Sequence, residues 1–148
     1  MASADELPID FLQQVMPLAK TLGIETLVNT PSEVRARLSW TEALCTSGGV
    51  LHGGVVMALA DSTGGACAFL NLPDGASGTT TIQSTTNFLR AVRSGHIEAA
   101  SHPLHAGRTV IVVETDVTDA DERRVARVTQ SQAVLRPAGP GGRPGDTA

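Results

Sequence analysis

Between Gly48 and Leu72 the chain reads GGVLHGGVVMALADSTGGACAFLNL, a glycine-rich entry followed by a segment with one charged residue. From Val55 to Leu70 most side chains are apolar, and the one acid is Asp61. A helix that is apolar all round is one buried on every side, so this segment predicts a central helix wrapped by the rest of the chain. An ionised carboxylate inside such a helix is costly unless it is paired, hydrogen-bonded or raised in pKa. Asp61 therefore needs a reason.

The entry to that helix is His52-Gly53-Gly54. The first backbone N–H groups of a helix have no internal acceptor, and the helix dipole favours negative charge there. Without β-carbons at Gly53 and Gly54, a ligand oxygen has close access to them, which predicts an oxyanion site. Gly53 and Asp61 are eight residues apart, so they lie ~12 Å from each other along the axis. A carboxylate and an N–H that act on one carbonyl must each reach it within about one hydrogen bond. One copy of the helix is too long for that, whereas two copies packed antiparallel about a two-fold axis bring Asp61 of one subunit to Gly53 of the other. Gly64 and Gly65 suit the close backbone approach of such a packing.

The remaining segments supply the wrapping. Asp10 to Leu22 is close to a helical period, with Asp10 placed as N-cap and Gly23 as the stop. Ile24 to Thr30 and Glu33 to Trp40 read as strands around Pro31-Ser32, the second with clean alternation. Thr79 to Leu89, Ile97 to His105, Thr109 to Thr118 and Val125 to Leu135 read as four more, separated by short turn segments that predict an antiparallel meander. One apolar helix and a long antiparallel sheet make a two-layer α+β fold with the helix in the concave face. The chain has 148 residues, which fits one domain, placed at 1–136. Pro137 to Ala148, PAGPGGRPGDTA, is built from turn formers and is expected to be a disordered tail.

Composition excludes several functions. A net charge of −4 and only four aromatic residues, Phe11, Trp40, Phe69 and Phe88, argue against a nucleic-acid partner. The longest uncharged run, Ala43 to Ala60, is broken by glycines, Thr46, Ser47 and His52, so no membrane partner is expected. The acidic start MASADELPID lacks the basic region of a secretory leader, and Cys45 and Cys67 without a C-x-x-C partner read as free thiols, so a cytoplasmic location is expected. His102 and His105 form an H-x-x-H pair, but three residues apart on a strand their rings face opposite ways, and no metal is expected. There is no G-x-S-x-G elbow, and with Lys20 as the single lysine there is no G-x-x-x-x-G-K phosphate loop.

The pattern G-x-x-H-G-G-x-x-x-x-x-x-D from Gly49 to Asp61 resembles the signature of hotdog-fold acyl-CoA thioesterases, in particular the phenylacetate-pathway (PaaI-like) group. The likeness continues through Asn87-Phe88-Leu89-Arg90 and His105-Ala106-Gly107-Arg108. It implies a hotdog fold, a curved antiparallel sheet around a central helix, assembled as a homodimer or as a homotetramer formed from two dimers. It also implies hydrolysis of an acyl-CoA thioester to coenzyme A and a carboxylic acid. Asp61 would be general base or nucleophile, and the Gly53 N–H of the other subunit would polarise the carbonyl. Coenzyme A enters as part of the substrate, with no other cofactor. The D-x-N-x-x-H pattern of the hydratase branch is absent.

Further positions follow from the resemblance. Thr46 stands where the family commonly has a side-chain amide six residues before the histidine, and Gln83 stands where a polar residue often places the water. A hydroxyl offers one donor where an amide offers two, and this departure motivates an alternative: a non-catalytic hotdog that binds acyl-CoA or an aromatic ligand. His52 reads as a helix-start residue or as a proton carrier. Arg90, Arg93 and Arg108 are candidates for the coenzyme A phosphates, since guanidinium pairs with phosphate bidentately. Gly107-Arg108 falls in the family's His-x-Gly-Arg hairpin.

Overall fold

The structure, a computed structural model, describes residues 9–139. The expected helix from Asp10 to Leu22 is two short ones, α1 (Phe11–Val15) and α2 (Pro17–Leu22). Pro17 is the cause: the residue before a proline is pushed out of the helical region, and Met16 is extended at φ −127° and ψ 107°. Gly23 then ends α2 in the left-handed conformation, φ 71°. Asp10 makes no side-chain cap; its Oδ1 accepts from Gln14 Nε2 instead.

The strands are β1 (Glu25–Asn29), β2 (Val34–Ser39), β3 (Gly78–Phe88), β4 (His96–Ala106), β5 (Val110–Asp119) and β6 (Arg124–Leu135), and α3 (Gly53–Leu70) lies between β2 and β3 in the chain. All adjacent pairs are antiparallel, in the order β1-β2-β4-β5-β6-β3. The expected four-strand meander is therefore only partly realised. β4, β5 and β6 form it, but β3 pairs with β6, and the segment after β3 crosses to bring β4 beside β2. A turn signal marks where a strand stops, not which neighbour it joins next.

Strand alternation builds the core. In β5 the inward residues Ile111, Val113, Thr115 and Val117 are buried while the intervening ones are half-buried. They meet Leu38, Ile97, Ala99 and Val128 from neighbouring strands and Leu59 and Ala60 from α3. The two hydroxyls that enter this layer, Ser101 and Thr115, bond each other at 2.7 Å. At the β5–β6 turn, burial works to raise the pKa of Asp119, but the backbone N–H groups of Arg123 and Asp121 and the Arg123 guanidinium outweigh it and leave the carboxyl below its ordinary value.

α3 is long and apolar enough by length and composition to cross a membrane, yet it sits in the curve of the sheet and packs against β2 through β6. It is not buried on every side. Val56, Leu59, Ala60, Thr63, Cys67 and Ala68 face the sheet, whereas Gly54, Met57, Asp61 and Phe69 form an exposed stripe at helical spacing. Burial pushes the Cys67 thiol up to about 11, so it packs as a protonated apolar group. Residues 137–139 are exposed and irregular, and the rest of the expected tail, 140–148, lies outside the described residues.

Candidate active site

The entry to α3 is pinned from several sides. Gly48 and Gly49 turn the chain with φ of 84° and 72°, the region that favours glycine. Trp40 Nε1 donates to the Gly49 carbonyl and Arg93 Nη1 to that of Gly48 (2.7 Å). The Leu51 N–H donates to the Val92 carbonyl and the His52 N–H to that of Leu44. Backbone placement of the first helical turn is thus set by three separate segments.

His52 is the N-cap, and its Nδ1 accepts from the Gly54 N–H at 2.8 Å. That bond occupies one of the two glycine donors expected to be open. The Val55 and Val56 N–H groups both donate to the His52 carbonyl. Gly53 N–H makes none of these bonds and has no acceptor among the described residues. A β-carbon at Gly53 would meet the Phe88 ring at 3.2 Å, so glycine also lets β3 close against the helix start.

Asp61 lies two turns on, exposed rather than buried as its apolar neighbours had suggested, because it faces the open stripe of α3. Its Oδ1 accepts from Gln130 Nε2 at 2.7 Å and from Thr81 Oγ1 at 3.1 Å. Thr81 Oγ1 in turn accepts from Gln132 Nε2 at 2.7 Å. Oδ2 has no protein donor among the described residues. One oxygen anchors the carboxylate; the other faces outward from the network.

The two glutamines are residues that sequence reading missed. On β6 the inward positions run Ala126, Val128, Gln130 and Gln132, all nearly or fully buried, so the inner face changes from apolar to amide halfway along the strand. The available signal was that alternation in RVTQSQAV, which sets both amides on the core side. Gly64 makes room for one of them: a β-carbon there would overlap Gln130 Oε1. Gly64 thus admits the glutamine within the chain. Gly65 has nothing within 4 Å of its would-be β-carbon.

Within one chain the expected site residues fall into separate groups. Thr46, Gly53, Phe88 and Arg90 line one cavity of about 370 Å³. Asp61, Thr81 and Gln132 line another of about 800 Å³. Gln83 belongs to neither; it is exposed on β3 and donates to Thr85 Oγ1. Arg93 is tied to the loop beside the Gly53 end. Gly107 and Arg108 sit at the β4–β5 hairpin, next to the C-terminal end of β6, where the Arg108 carbonyl accepts from Arg136 Nη2. The three arginines do not converge in a single chain. Among the described residues no three His, Cys, Asp or Glu side chains gather to hold a metal.

The model of the thioesterase superfamily matches residues 48–126, more than half of the chain. A protein of Saccharolobus solfataricus that carries only an esterase name is 32% identical over 135 residues, 88% of this chain and 95% of that one. The crystal structure of a Haemophilus influenzae thioesterase superposes with a TM-score of 0.82 at 25% identity, covering 96% of this chain and all of that one. The Escherichia coli PaaI protein from the phenylacetic acid degradation operon shares the fold, with a TM-score of 0.75 at 20% identity over 86% of this chain and 89% of its own. With its curved six-stranded sheet and central helix, and with the matched segment running from the glycine turn through Asp61 into β6, the chain belongs to the hotdog thioesterase superfamily.

Proposed function

We propose that this protein hydrolyses acyl-CoA thioesters as a homodimer in which each reaction centre is shared. Asp61 of one protomer activates water or attacks the thioester, and the Gly53 N–H of the other polarises the carbonyl. The observation that carries this reading is the pairing of two groups on one open helix that have no partner among the described residues: a carboxylate oxygen at Asp61 and the N–H of Gly53.

β3 supports the dimer. It is an edge strand with most of its residues exposed, Ile82 and Phe88 among them, and such an edge is a template for pairing with another chain. Its Thr81 end holds Asp61 and its Phe88 end touches Gly53. These two ends are equidistant from the Ser84–Thr85 link. Antiparallel pairing of two copies of β3 about a two-fold axis at that link lays the Thr81 end of one beside the Phe88 end of the other. Asp61 then approaches the partner's Gly53, and the two cavities of the separate chain become halves of one site.

In the base route, Asp61 Oδ2 takes a proton from water as the hydroxyl oxygen adds to the thioester carbon. The negative charge that builds on the carbonyl oxygen is stabilised by the Gly53 N–H, an effect of ~3 kcal/mol for one such donor. The carbon–sulfur bond then breaks, the proton passes to the coenzyme A thiolate, and the carboxylic acid leaves. His52 acts here as the cap that consumes the Gly54 N–H and leaves Gly53 as the open donor. Thr46 and Arg90 flank that donor, and Arg90 and Arg93 hold phosphate at this end. Gly107-Arg108 of the partner subunit lies at the same end once the strands pair head to tail.

Replacing Asp61 by Asn tests the reading. Thiol release from acyl-CoA is expected to fall ~10³-fold while the dimer and the melting temperature are kept. Unchanged turnover in D61N removes the acid from the mechanism. Label appearing on Asp61 after a single turnover in oxygen-18 water would mark the anhydride route. Acyl-CoA binding with no thiol release from any substrate would make the protein a binding hotdog instead.

A further inference from the structure

The larger cavity has two unlike ends. Asp61, Thr80, Thr81 and Gln132 form a polar mouth. The rest of the lining is mostly apolar, with Ala66 and Phe69 of α3 and Phe11, Val15 and Leu18 of the N-terminal helices beside Asn29 and Thr79. Val15, Leu18 and Phe69 are each more than half exposed although they stand inside this space, which marks it as left open by the described residues of this chain. The kink at Met16-Pro17 places two short helices along the outer wall rather than one long one.

Gly65 sits at the centre. It is one turn beyond Asp61 and one turn before Phe69 on the same face, and a β-carbon there would meet nothing within 4 Å. Among the described residues of this chain nothing packs against that position, unlike Gly53 and Gly64. Its effect is to leave the ~12 Å of helix face from Asp61 to Phe69 lined only by the small side chains of Ser62 and Ala66 in between. Asp61 is the one charged residue among those that line the cavity, so nothing there neutralises an acidic group.

We infer that this cavity is the acyl subsite, that it takes an uncharged apolar acyl group well longer than acetyl, and that Gly65 sets how far the chain reaches. The inference rests on the thioesterase reading and adds its substrate class. The carbonyl stays at Asp61 and Thr81, and the tail runs over Gly65 towards Phe69, Val15 and Leu18. Each methylene that moves from water to this surface favours the longer substrate by about four-fold, and the gain ends where the wall closes.

The test compares acetyl-, octanoyl- and succinyl-CoA with the full chain. The kcat/KM of the wild type is expected to be at least ~10-fold higher for octanoyl- than for acetyl-CoA, with succinyl-CoA below both. G65L should collapse the octanoyl-to-acetyl ratio ~10-fold by occupying the path. L18W closes the same cavity from the opposite wall on a different element, and the same collapse is expected there, which keeps the test valid if G65L fails to fold. A flat length profile in the wild type, or equal losses on both substrates in the two variants, overturns the inference. Should no acyl-CoA be hydrolysed, the thioesterase reading fails on its own. The cavity is then read by titrating neutral octanamide: NMR shifts at Gly65 and Phe69 that vanish in L18W uphold an apolar-chain site, and their absence rejects it.

Discussion

Asp61 and Asp116 each accept hydrogen bonds from two side chains, and they are held in opposite ways. Asp116, on the outer side of β5, is bound by Arg127 through both oxygens, at 3.0 and 2.8 Å, and by Arg124 Nε at 2.9 Å. Those donors are cations and cover both oxygens. The Arg127 hydrogen bond, against the opposing push of burial and with the positive charges of Arg127 and Arg124 adding to it, holds the Asp116 carboxyl below its ordinary value. Asp61 is held by a neutral amide and a hydroxyl, both on Oδ1. A carboxylate neutralised on both oxygens is a structural link between strands. One fixed through a single oxygen by neutral donors keeps the lone pairs of its other oxygen for a reacting group.

Substitutions at the two acids and their neighbours break or sharpen this contrast. The largest effect is expected from D61N, with the loss of turnover given above and little change in stability. Next, Q130E sets a second carboxylate against Asp61 in a buried position. The acidic limb of the kcat/KM profile should move up by ~1 pH unit or more, because like charges that share a site resist ionising together. A limb that stays in place would separate Gln130 from the reacting acid.

G64A should follow. Its new methyl overlaps Gln130 Oε1, so the amide has to shift and strain the core by ~1–3 kcal/mol. Urea unfolding and turnover are both expected to register it, whereas a variant that matched the wild type in both would show that the amide has another place to go. The smallest effect belongs to D116N. Its side chain and those of its partners are a third to a half exposed, so the pair contributes ~0.5 kcal/mol at neutral pH, with turnover unchanged. The folded-state pKa of Asp116 is depressed, so its contribution is present above the ordinary carboxylate range and is lost as pH falls through the folded value. The stability gap between wild type and D116N should therefore close in acid, and a gap that persisted there would assign the loss to packing.

Much of the fold could be read along the chain. The helix Gly53–Leu70, the alternation of Val34–Ser39 and the stop at Gly23 follow from patterns within a few residues, and all appear in the structure. Asp61 stood out as the one acid in an apolar run, and His52-Gly53-Gly54 as an unusual helix entry. The failures share a cause. Asp61 was expected to be buried because a run of apolar neighbours implies complete wrapping, yet the sheet covers only one side of α3 in a single chain. Gly54 was expected to offer its N–H, but the imidazole two residues earlier folds back onto it.

Local periodicity, capping chemistry and the glycine turn are short-range properties, so residue order alone determined the central helix, the strands and the acid set within that helix. Which strand lies beside which is a long-range choice, and the sheet made it by placing β3 at an edge next to β6. That placement brings Gln130 to Asp61 across 69 residues, sets Thr81 between Asp61 and Gln132, and leaves a free strand edge running from the acid to the open amide. No window of sequence contains those contacts, because a hydrogen bond between distant residues exists only after the core between them has closed.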